Sequence, residues 1–182
     1  FRVPEVMEQS GAALVDVGTT NRTRVDDYRR GVTSRTAVIL KVHPSNYRVE
    51  GFTEDTGVDE LAGLGLPVVA DIGSGLLDAS CPWMPGGPPA WLIDEPAARQ
   101  TLEAGAALVT FSTDKLLGGP QAGVIAGSRE LVERCAAHPL MRAFRPGALT
   151  LTALQDVLLA YLRRDVTSTV PFWRMVAEPV AR

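Results

Sequence analysis

Three short segments of the 182-residue sequence carry side chains that could take part in catalysis. Each follows an apolar run: HPSN at 43–46, DIGSG at 71–75 and STDK at 112–115. A lysine amine can form an imine with a carbonyl compound, and a carboxylate can keep a neighbouring nitrogen base protonated. Taken singly, a strand-end aspartate is more often a turn residue, and a lysine is more often a solvated charge. Together they indicate imine chemistry.

The elements that carry these segments alternate between apolar, strand-like runs and helical patterns. This alternation predicts an α/β fold with a mostly parallel sheet and helices on both faces. A sheet of this kind binds its ligand at the carboxyl ends of the strands, which is where all three segments lie. The predicted strands are 13–17, 36–42, 67–71, 107–111 and 123–126.

Helical patterns lie between the predicted strands. Residues 94–105 are predicted to form a helix with Asp94 as its N-cap. Residues 79–89 are rich in proline and glycine, which predicts an irregular loop. The other predicted helices are 25–30, 59–64, 129–137 and 150–162, and the tail after residue 165 has weak periodicity.

The order asparagine, aspartate, lysine meets the requirements of pyridoxal 5'-phosphate (PLP) chemistry, which needs a lysine for the imine and an acid that keeps the pyridine nitrogen protonated. It resembles the large domain of fold-type I PLP enzymes. The resemblance implies that Lys115 forms the imine, Asp71 pairs with the ring nitrogen and Asn46 contacts the phenolic oxygen. Gly73 would let the backbone lie close to the ring because glycine has no Cβ. Ser112 could donate to the phosphate, or it could serve as a turn residue.

Four sequence blocks narrow the resemblance to one family: VGTTNRT at 17–23, LKVHPSNYRVEGFT at 40–53, ADIGSGLL at 70–77 and DKLLGGPQAG at 114–123. These blocks resemble bacterial L-seryl-tRNA(Sec) selenium transferase, the selenocysteine synthase family. The resemblance implies conversion of seryl-tRNA(Sec) to selenocysteinyl-tRNA(Sec) with selenophosphate, through an aminoacrylate. It also implies a homo-oligomer.

The segment HPLMRAFRPGALTLTALQ at 138–155 extends the resemblance. It implies that Arg142 and Arg145 bind the anionic selenium donor or the phosphate that the donor leaves. Arginines three residues apart would face the same way on a helical turn, and two guanidinium groups suit phosphate. Two solvated surface arginines are the alternative. The acid that protonates the departing hydroxyl is left open, and Asp114 is a neighbour of the lysine that could supply it.

Composition restricts the other possibilities. The net charge is −3, with acids and bases interspersed, so no basic stripe predicts a nucleic-acid groove, and tRNA contacts are expected mainly from regions outside this sequence. Cys81 and Cys135 lack zinc-binding spacing and only two histidines are present, so no metal site is predicted. No apolar run reaches the roughly 20 residues of a membrane helix. The expected compartment is the cytoplasm.

The chain is expected to be a piece of a longer protein. Residues 1–165 are predicted to form the PLP-binding core of the large domain, incomplete on its N-terminal side, and residues 166–182 to begin a C-terminal extension or linker. Two other functions stay open. One is a related PLP-dependent α,β-eliminating lyase that acts on a small amino acid or an amino-sugar acid. The other is a truncated segment without catalytic activity.

Overall fold

The structure is a computed structural model that describes residues 3–179. Its strands are β1 (Ile39–Val42), β2 (Val68–Gly73), β3 (Leu108–Ser112) and β4 (Gly123–Gly127). They form one sheet in the order β1-β2-β3-β4. The first three strands are parallel, whereas β4 runs antiparallel to β3. The α/β class predicted from the sequence is confirmed, with one antiparallel edge strand.

Helices connect and cover the strands. The α-helices are α1 (Val3–Glu8), α2 (Val25–Gly31), α3 (Val58–Ala62), α4 (Ala98–Glu103), α5 (Arg129–Ala137), α6 (Ala148–Arg163), α7 (Val166–Thr169) and α8 (Pro171–Ala177). Short 3-10 helices cover Ala90–Leu92 and Pro139–Arg142. Within residues 3–179, no helix has both the length and the hydropathy of a membrane span.

The predicted strand at 13–17 is wrong. These residues are irregular, and 13–16 are exposed to solvent. Among the described residues no strand pairs with this segment, and a strand without a partner leaves its backbone groups to water. The apolar side chains that suggested a strand therefore do not form one here.

The predicted helix at 94–105 begins later than expected. The helix is α4, and its N-cap is Ala97 rather than Asp94. Pro96 disfavours the helical conformation of the residue before it, which prevents an earlier start. The carboxylate of Asp94 instead pairs with Arg48 at 3.1 Å.

One face of the sheet carries the main core. Side chains of β2 and β3 on this face, such as Ile72 and Val109, are buried, and they join one cluster with Ala98 of α4. Strand side chains alternate between faces, so Asp71 belongs to the opposite face. In the sheet register Asp71 lies beside Val42 of β1 and Thr110 of β3. The aspartate therefore avoids the apolar core.

The segment after residue 165 packs against the core. Val166, Val170 and Trp173 are almost completely buried. They form one cluster with Leu76 and Trp83, and Trp83 comes from the irregular, proline-rich loop at 79–89. The division into domains at residue 165 stays a prediction. Residues 1–2 of the first predicted part and residues 180–182 of the second lie outside the described residues.

Candidate active site

The three segments singled out in the sequence meet at one edge of the sheet. The backbone N–H of His43, after β1, donates to the carbonyl oxygen of Asp71 over 2.9 Å. The N–H of Leu116, after β3, donates to the carbonyl oxygen of Ser74 over 2.8 Å. The chain that follows β1 and the chain that follows β3 are thus tied to β2 or to the loop after β2.

Gly73 links the lysine to the aspartate. Nζ of Lys115 donates to the carbonyl oxygen of Gly73 at 3.2 Å, and the N–H of Gly73 donates to Oδ1 of Asp71, also at 3.2 Å. The φ angle of Gly73 is +67°, which favours glycine. A Cβ at this position would lie 3.5 Å from Oγ of Ser45 and 4.0 Å from Nζ of Lys115. Glycine therefore keeps the space beside the amine open.

An open cleft of about 960 Å³ lies in front of these strand ends. Its lining residues are 20–23, 41–49, 53–55, Trp91, Asp94, Glu95 and Lys115. Of the predicted site residues, Lys115 and Asn46 are in this lining. Asp71 and Gly73 are not in this lining, although Gly73 binds the amine of Lys115 and the carboxylate of Asp71.

Both lysines of the sequence line the cleft, but their contacts differ. The amine of Lys41 pairs with the carboxylate of Asp55, and the Lys41 side chain is only 19% exposed. Lys115 is exposed, and within residues 3–179 it has no carboxylate partner. Its amine is therefore the one that is free to attack a carbonyl carbon.

The side chains at the turn after β3 differ in their exposure to solvent. Asp114 is exposed beside the lysine in sequence, and Ser112 is half-buried at the end of the strand. Thr113 is fully buried, and its hydroxyl donates to the carbonyl oxygen of Pro120. Thr113 thus closes the loop at 113–122.

The two predicted arginines lie outside the cleft lining. Arg142 is the last residue of the 3-10 helix Pro139–Arg142, and Arg145 follows in an irregular stretch. The prediction that a single helical turn carries both arginines is therefore wrong. Pro146 explains the difference, because it disfavours a helical conformation at Arg145. Both side chains belong to exposed residues.

The cleft wall carries a polar pair that no sequence pattern had indicated. Nε2 of His43 lies 3.5 Å from Oε2 of Glu95. The other carboxylate oxygen, Oε1, is buried and has no hydrogen-bond partner among the described residues. The two residues are far apart in sequence and follow no motif spacing, so only the fold reveals the pair.

Asp78 anchors the loop that follows β2. Burial raises the pKa of Asp78, but hydrogen bonds from the Ser80 backbone, the Gln100 side chain, the Ser80 hydroxyl and Arg99 outweigh this effect and hold the pKa well below its ordinary value. Nη1 of Arg99 donates over 2.9 Å and Nε2 of Gln100 over 3.0 Å. The ionised carboxylate thereby joins the loop to α4.

The residues at the strand ends fit a PLP site. The reactive amine opens into a cleft, and Gly73 provides space where any Cβ would approach that amine. The hydroxyl of the adjacent Ser74 is buried without a hydrogen-bond partner in the part of the chain that the structure describes. Lys115 and Asn46 would hold the group from the cleft, and Asp71 would face it from β2.

Comparison with known proteins identifies close relatives in sequence. The model of the L-seryl-tRNA selenium transferase family matches residues 1–182. The chain is 48% identical over 184 residues to L-seryl-tRNA(Sec) selenium transferase of Carboxydothermus hydrogenoformans. It is 47% identical over 185 residues to that of Klebsiella pneumoniae. Each comparison covers 98% of this chain, and the chain spans 38% of the length of each relative.

Two solved structures are similar in fold. D-Glucosaminate-6-phosphate ammonia-lyase has a TM-score of 0.67 at 20% identity, covering 88% of this chain and 39% of that chain. A double mutant of Thermus thermophilus aspartate aminotransferase has a TM-score of 0.61 at 18% identity, covering 96% of this chain and 44% of that chain. At these identities the likeness concerns the fold alone. It confirms the predicted fold-type I architecture.

Proposed function

The chain belongs to the L-seryl-tRNA selenium transferase family, and from this membership we propose that it forms the PLP-binding core of an enzyme that converts seryl-tRNA(Sec) to selenocysteinyl-tRNA(Sec). Selenophosphate is the proposed selenium donor. The proposal concerns the intact protein, because the chain spans 38% of the length of its relatives. The proposed compartment is the cytoplasm and the proposed assembly is a homo-oligomer.

One observation supports the proposal more than any other. Both lysines of the sequence line the cleft, but the amine of Lys115 donates a hydrogen bond only to a carbonyl oxygen, that of Gly73, within the described residues. Lys41 is engaged by Asp55. Covalent capture of an aldehyde needs an amine without a competing carboxylate partner, and Lys115 meets this requirement.

When bound, PLP would supply an electron sink for the negative charge that develops at Cα of the seryl group. Lys115 would hold the cofactor covalently until the seryl amino group takes its place, and the freed amine would then remove the proton from Cα. The carboxylate of Asp71 would keep a proton on the ring nitrogen. Asn46 would donate to the phenolic oxygen and Ser112 to the phosphate, while Gly73 leaves room for the ring.

Loss of the β-hydroxyl requires an acid, because hydroxide is a poor leaving group. The acid is left open, and Asp114 is a candidate because it is adjacent to Lys115 in sequence. Arg142 and Arg145 would bind selenophosphate through charge-assisted hydrogen bonds. Both arginines lie outside the cleft lining. Their proposed role is to bind the selenium donor and not the seryl group.

Two alternatives predict different products. A related PLP lyase would share the steps up to loss of the hydroxyl, but identities of 47–48% to selenium transferases favour the transferase. The likeness to the ammonia-lyase, at 20% identity, concerns the fold. A segment without catalytic activity would fail to capture PLP.

The experiment uses the intact protein with PLP, serine-charged tRNA(Sec) and selenophosphate. The expected product is selenocysteine attached to the tRNA. Release of a keto acid from free amino acids, without any tRNA product, would favour the lyase. Absence of PLP capture would contradict both enzymatic functions.

A further inference from the structure

Two aromatic side chains bind the backbone directly after Lys115. Nε1 of Trp173 donates to the carbonyl oxygen of Leu116 at 2.8 Å and approaches the hydroxyl oxygen of Tyr161 at 2.7 Å. The Tyr161 hydroxyl donates to the carbonyl oxygen of Leu117 at 3.0 Å. Trp173 is fully buried. Tyr161 and Trp173, referred to below as the bracket, both bind the turn after Lys115, and neither lines the cleft.

The same turn is held from the other direction by main-chain bonds. The N–H of Leu116 donates to Ser74 over 2.8 Å, and the N–H of Gly118 donates to the carbonyl oxygen of Lys115 over 2.9 Å. Both polar groups of Leu116 therefore have partners, one on each side. This leaves the Lys115 main chain little freedom to rotate, because its neighbours are fixed to two separate elements.

The segment that leads into the helix of Trp173 also packs directly on the turn. Gly118 has a φ of +75°, and a Cβ there would lie 2.4 Å from Cγ1 of Val170. Val170, between α7 and α8, is itself 2% exposed. Close packing of this kind transmits a displacement of the helices to the turn, because protein interiors have few voids to absorb it.

The protonation state of Tyr161 allows its hydroxyl to donate a hydrogen bond. Burial raises the pKa of its hydroxyl above the ordinary value of 10.0, and this outweighs the opposing hydrogen bond from Trp173. The phenol consequently stays protonated through the physiological range. Its proton remains available to the carbonyl oxygens of the turn.

Trp83 gives a matched comparison inside the same cluster. Its ring meets the Tyr161 ring edge-on at 4.8 Å and the Trp173 ring at 5.2 Å. Its own Nε1 is buried but has no hydrogen-bond partner among the described residues. Trp83 therefore contributes packing to the cluster without binding the turn.

We propose that Tyr161 and Trp173 are positioning residues that fix the main chain after Lys115, so that its amine is delivered to the cleft in one orientation. The proposal rests on the proposed function, in which Lys115 captures PLP. Neither aromatic residue lines the cleft, so each would act only through the backbone of the turn.

The test compares Trp173→Phe and Tyr161→Phe with the control Trp83→Phe in the intact protein. Each Trp→Phe change keeps a buried aromatic ring, but only Trp173→Phe removes a hydrogen bond to the turn. The first measurement is the rate of PLP capture at Lys115, trapped with borohydride and located by peptide mass spectrometry. We expect it to fall by on the order of tenfold in Trp173→Phe and Tyr161→Phe, and by about twofold or less in Trp83→Phe.

The second measurement needs no PLP. Reductive ¹³C-methylation labels the lysine amines, and the signals of Lys115 and Lys41 are identified by their loss in Lys115→Arg and Lys41→Arg, so that Lys41 serves as the internal control in the NMR spectrum. The Lys115 signal should shift in Trp173→Phe and Tyr161→Phe, and it should keep its position in Trp83→Phe. Should Trp173→Phe not fold, Tyr161→Phe carries the comparison, since it removes a single oxygen atom.

Two results would overturn the positioning role. One is an equal effect of Trp173→Phe and Trp83→Phe on Lys115, and the other is a Lys41 signal that moves together with that of Lys115. If the parent protein captures no PLP, the proposed function is wrong. The NMR comparison then still decides whether the bracket positions the lysine.

Discussion

The carbonyl oxygen of Gly73 lies 3.2 Å from Nζ of Lys115, so the last residue of β2 holds the amine that the turn after β3 presents. The N–H of the same glycine donates to the carboxylate of Asp71. One residue therefore contacts both groups on which PLP chemistry would depend. Substitutions on β2 should accordingly affect the chemistry at the amine as well as the fold.

Replacing Asp71 with asparagine should leave PLP bound and slow removal of the Cα proton severely. The amide cannot hold the ring nitrogen protonated, so the electron sink weakens, whereas Lys115 still captures the cofactor. Deuterium exchange at Cα of the seryl group measures the step, and the borohydride-trapped fraction measures binding. Unchanged exchange with normal trapping would refute the role of Asp71.

Replacing Gly75 with alanine should destabilise the protein by about 2 kcal/mol or more. Gly75 has a φ of +75°, and a Cβ there would lie 2.4 Å from the carbonyl oxygen of Ser112, which cannot move without disturbing β3. Gly86→Ala is the control, because nothing lies within 4 Å of its added Cβ, and it should change stability by about 0.5 kcal/mol or less. Denaturant unfolding of both variants checks the difference. Equal unfolding midpoints for the two variants would contradict the close approach of Gly75 to the end of β3.

Asp78→Asn should lower the free energy of unfolding at pH 7 by about 1–3 kcal/mol, because the charged acceptor of several hydrogen bonds is lost. The folded-state pKa of Asp78 lies below its ordinary value of 3.8, so its ionised form stabilises the fold above pH 3.8. That stabilisation disappears as the pH falls through the folded-state pKa. The variant should therefore lose less stability on acidification than the parent.

The matched control for Asp78 is Asp94→Asn. The Asp94 side chain is 71% exposed and pairs with an exposed Arg48, so this variant should cost about 1 kcal/mol or less. Urea unfolding at pH 7 and at successively lower pH compares the three proteins. Parallel pH profiles for the parent and Asp78→Asn would show that the carboxylate does not carry the acid dependence.

Arg142→Ala and Arg145→Ala should affect the two halves of the reaction, loss of the serine hydroxyl and transfer of selenium, to different extents. The activation free energy of selenium transfer should rise by on the order of 1.5–3 kcal/mol, while loss of the serine hydroxyl stays largely intact. Added salt should weaken donor use more in the parent than in the variants, because only the parent has this attraction to screen. Arg129→Ala, whose parent side chain is 90% exposed, is the control. Equal losses in both half-reactions would assign the arginines to the fold or to tRNA binding.

The sequence correctly predicted that the three polar segments meet at one edge of the sheet, because the ends of strands follow from local chain properties, whereas the roles of their residues stay predictions. Apolar runs rich in β-branched residues marked the strands, and parallel strands bring their carboxyl ends to one edge. Lys115 and Asp71 were therefore found from the ends of two runs. The predicted strand at 13–17 failed because its pattern said nothing about a pairing partner.

Contacts between distant segments could not be predicted in the same way. Trp173 belongs to a seven-residue helix, which is too short to show a clear period, and it binds a carbonyl oxygen far away in sequence. The long helix α6 carries the apolar stripe expected of an amphipathic helix, yet its inward side is formed by Leu154, Val157 and Tyr161. Leu158 and Leu159 have the spacing of core positions but are exposed. Sequence spacing alone does not show which side of a helix meets the sheet.

The most direct test of the account is to find which lysine captures PLP. The intact protein is incubated with PLP, reduced with borohydride and digested, and the pyridoxyl group is located by mass spectrometry. Lys41 and Lys115 are the two lysines of this chain, and they fall in separate peptides. The account predicts the label on Lys115, its loss in Lys115→Ala and its retention in Lys41→Ala. A label on Lys41, or one that persists in Lys115→Ala, would contradict it.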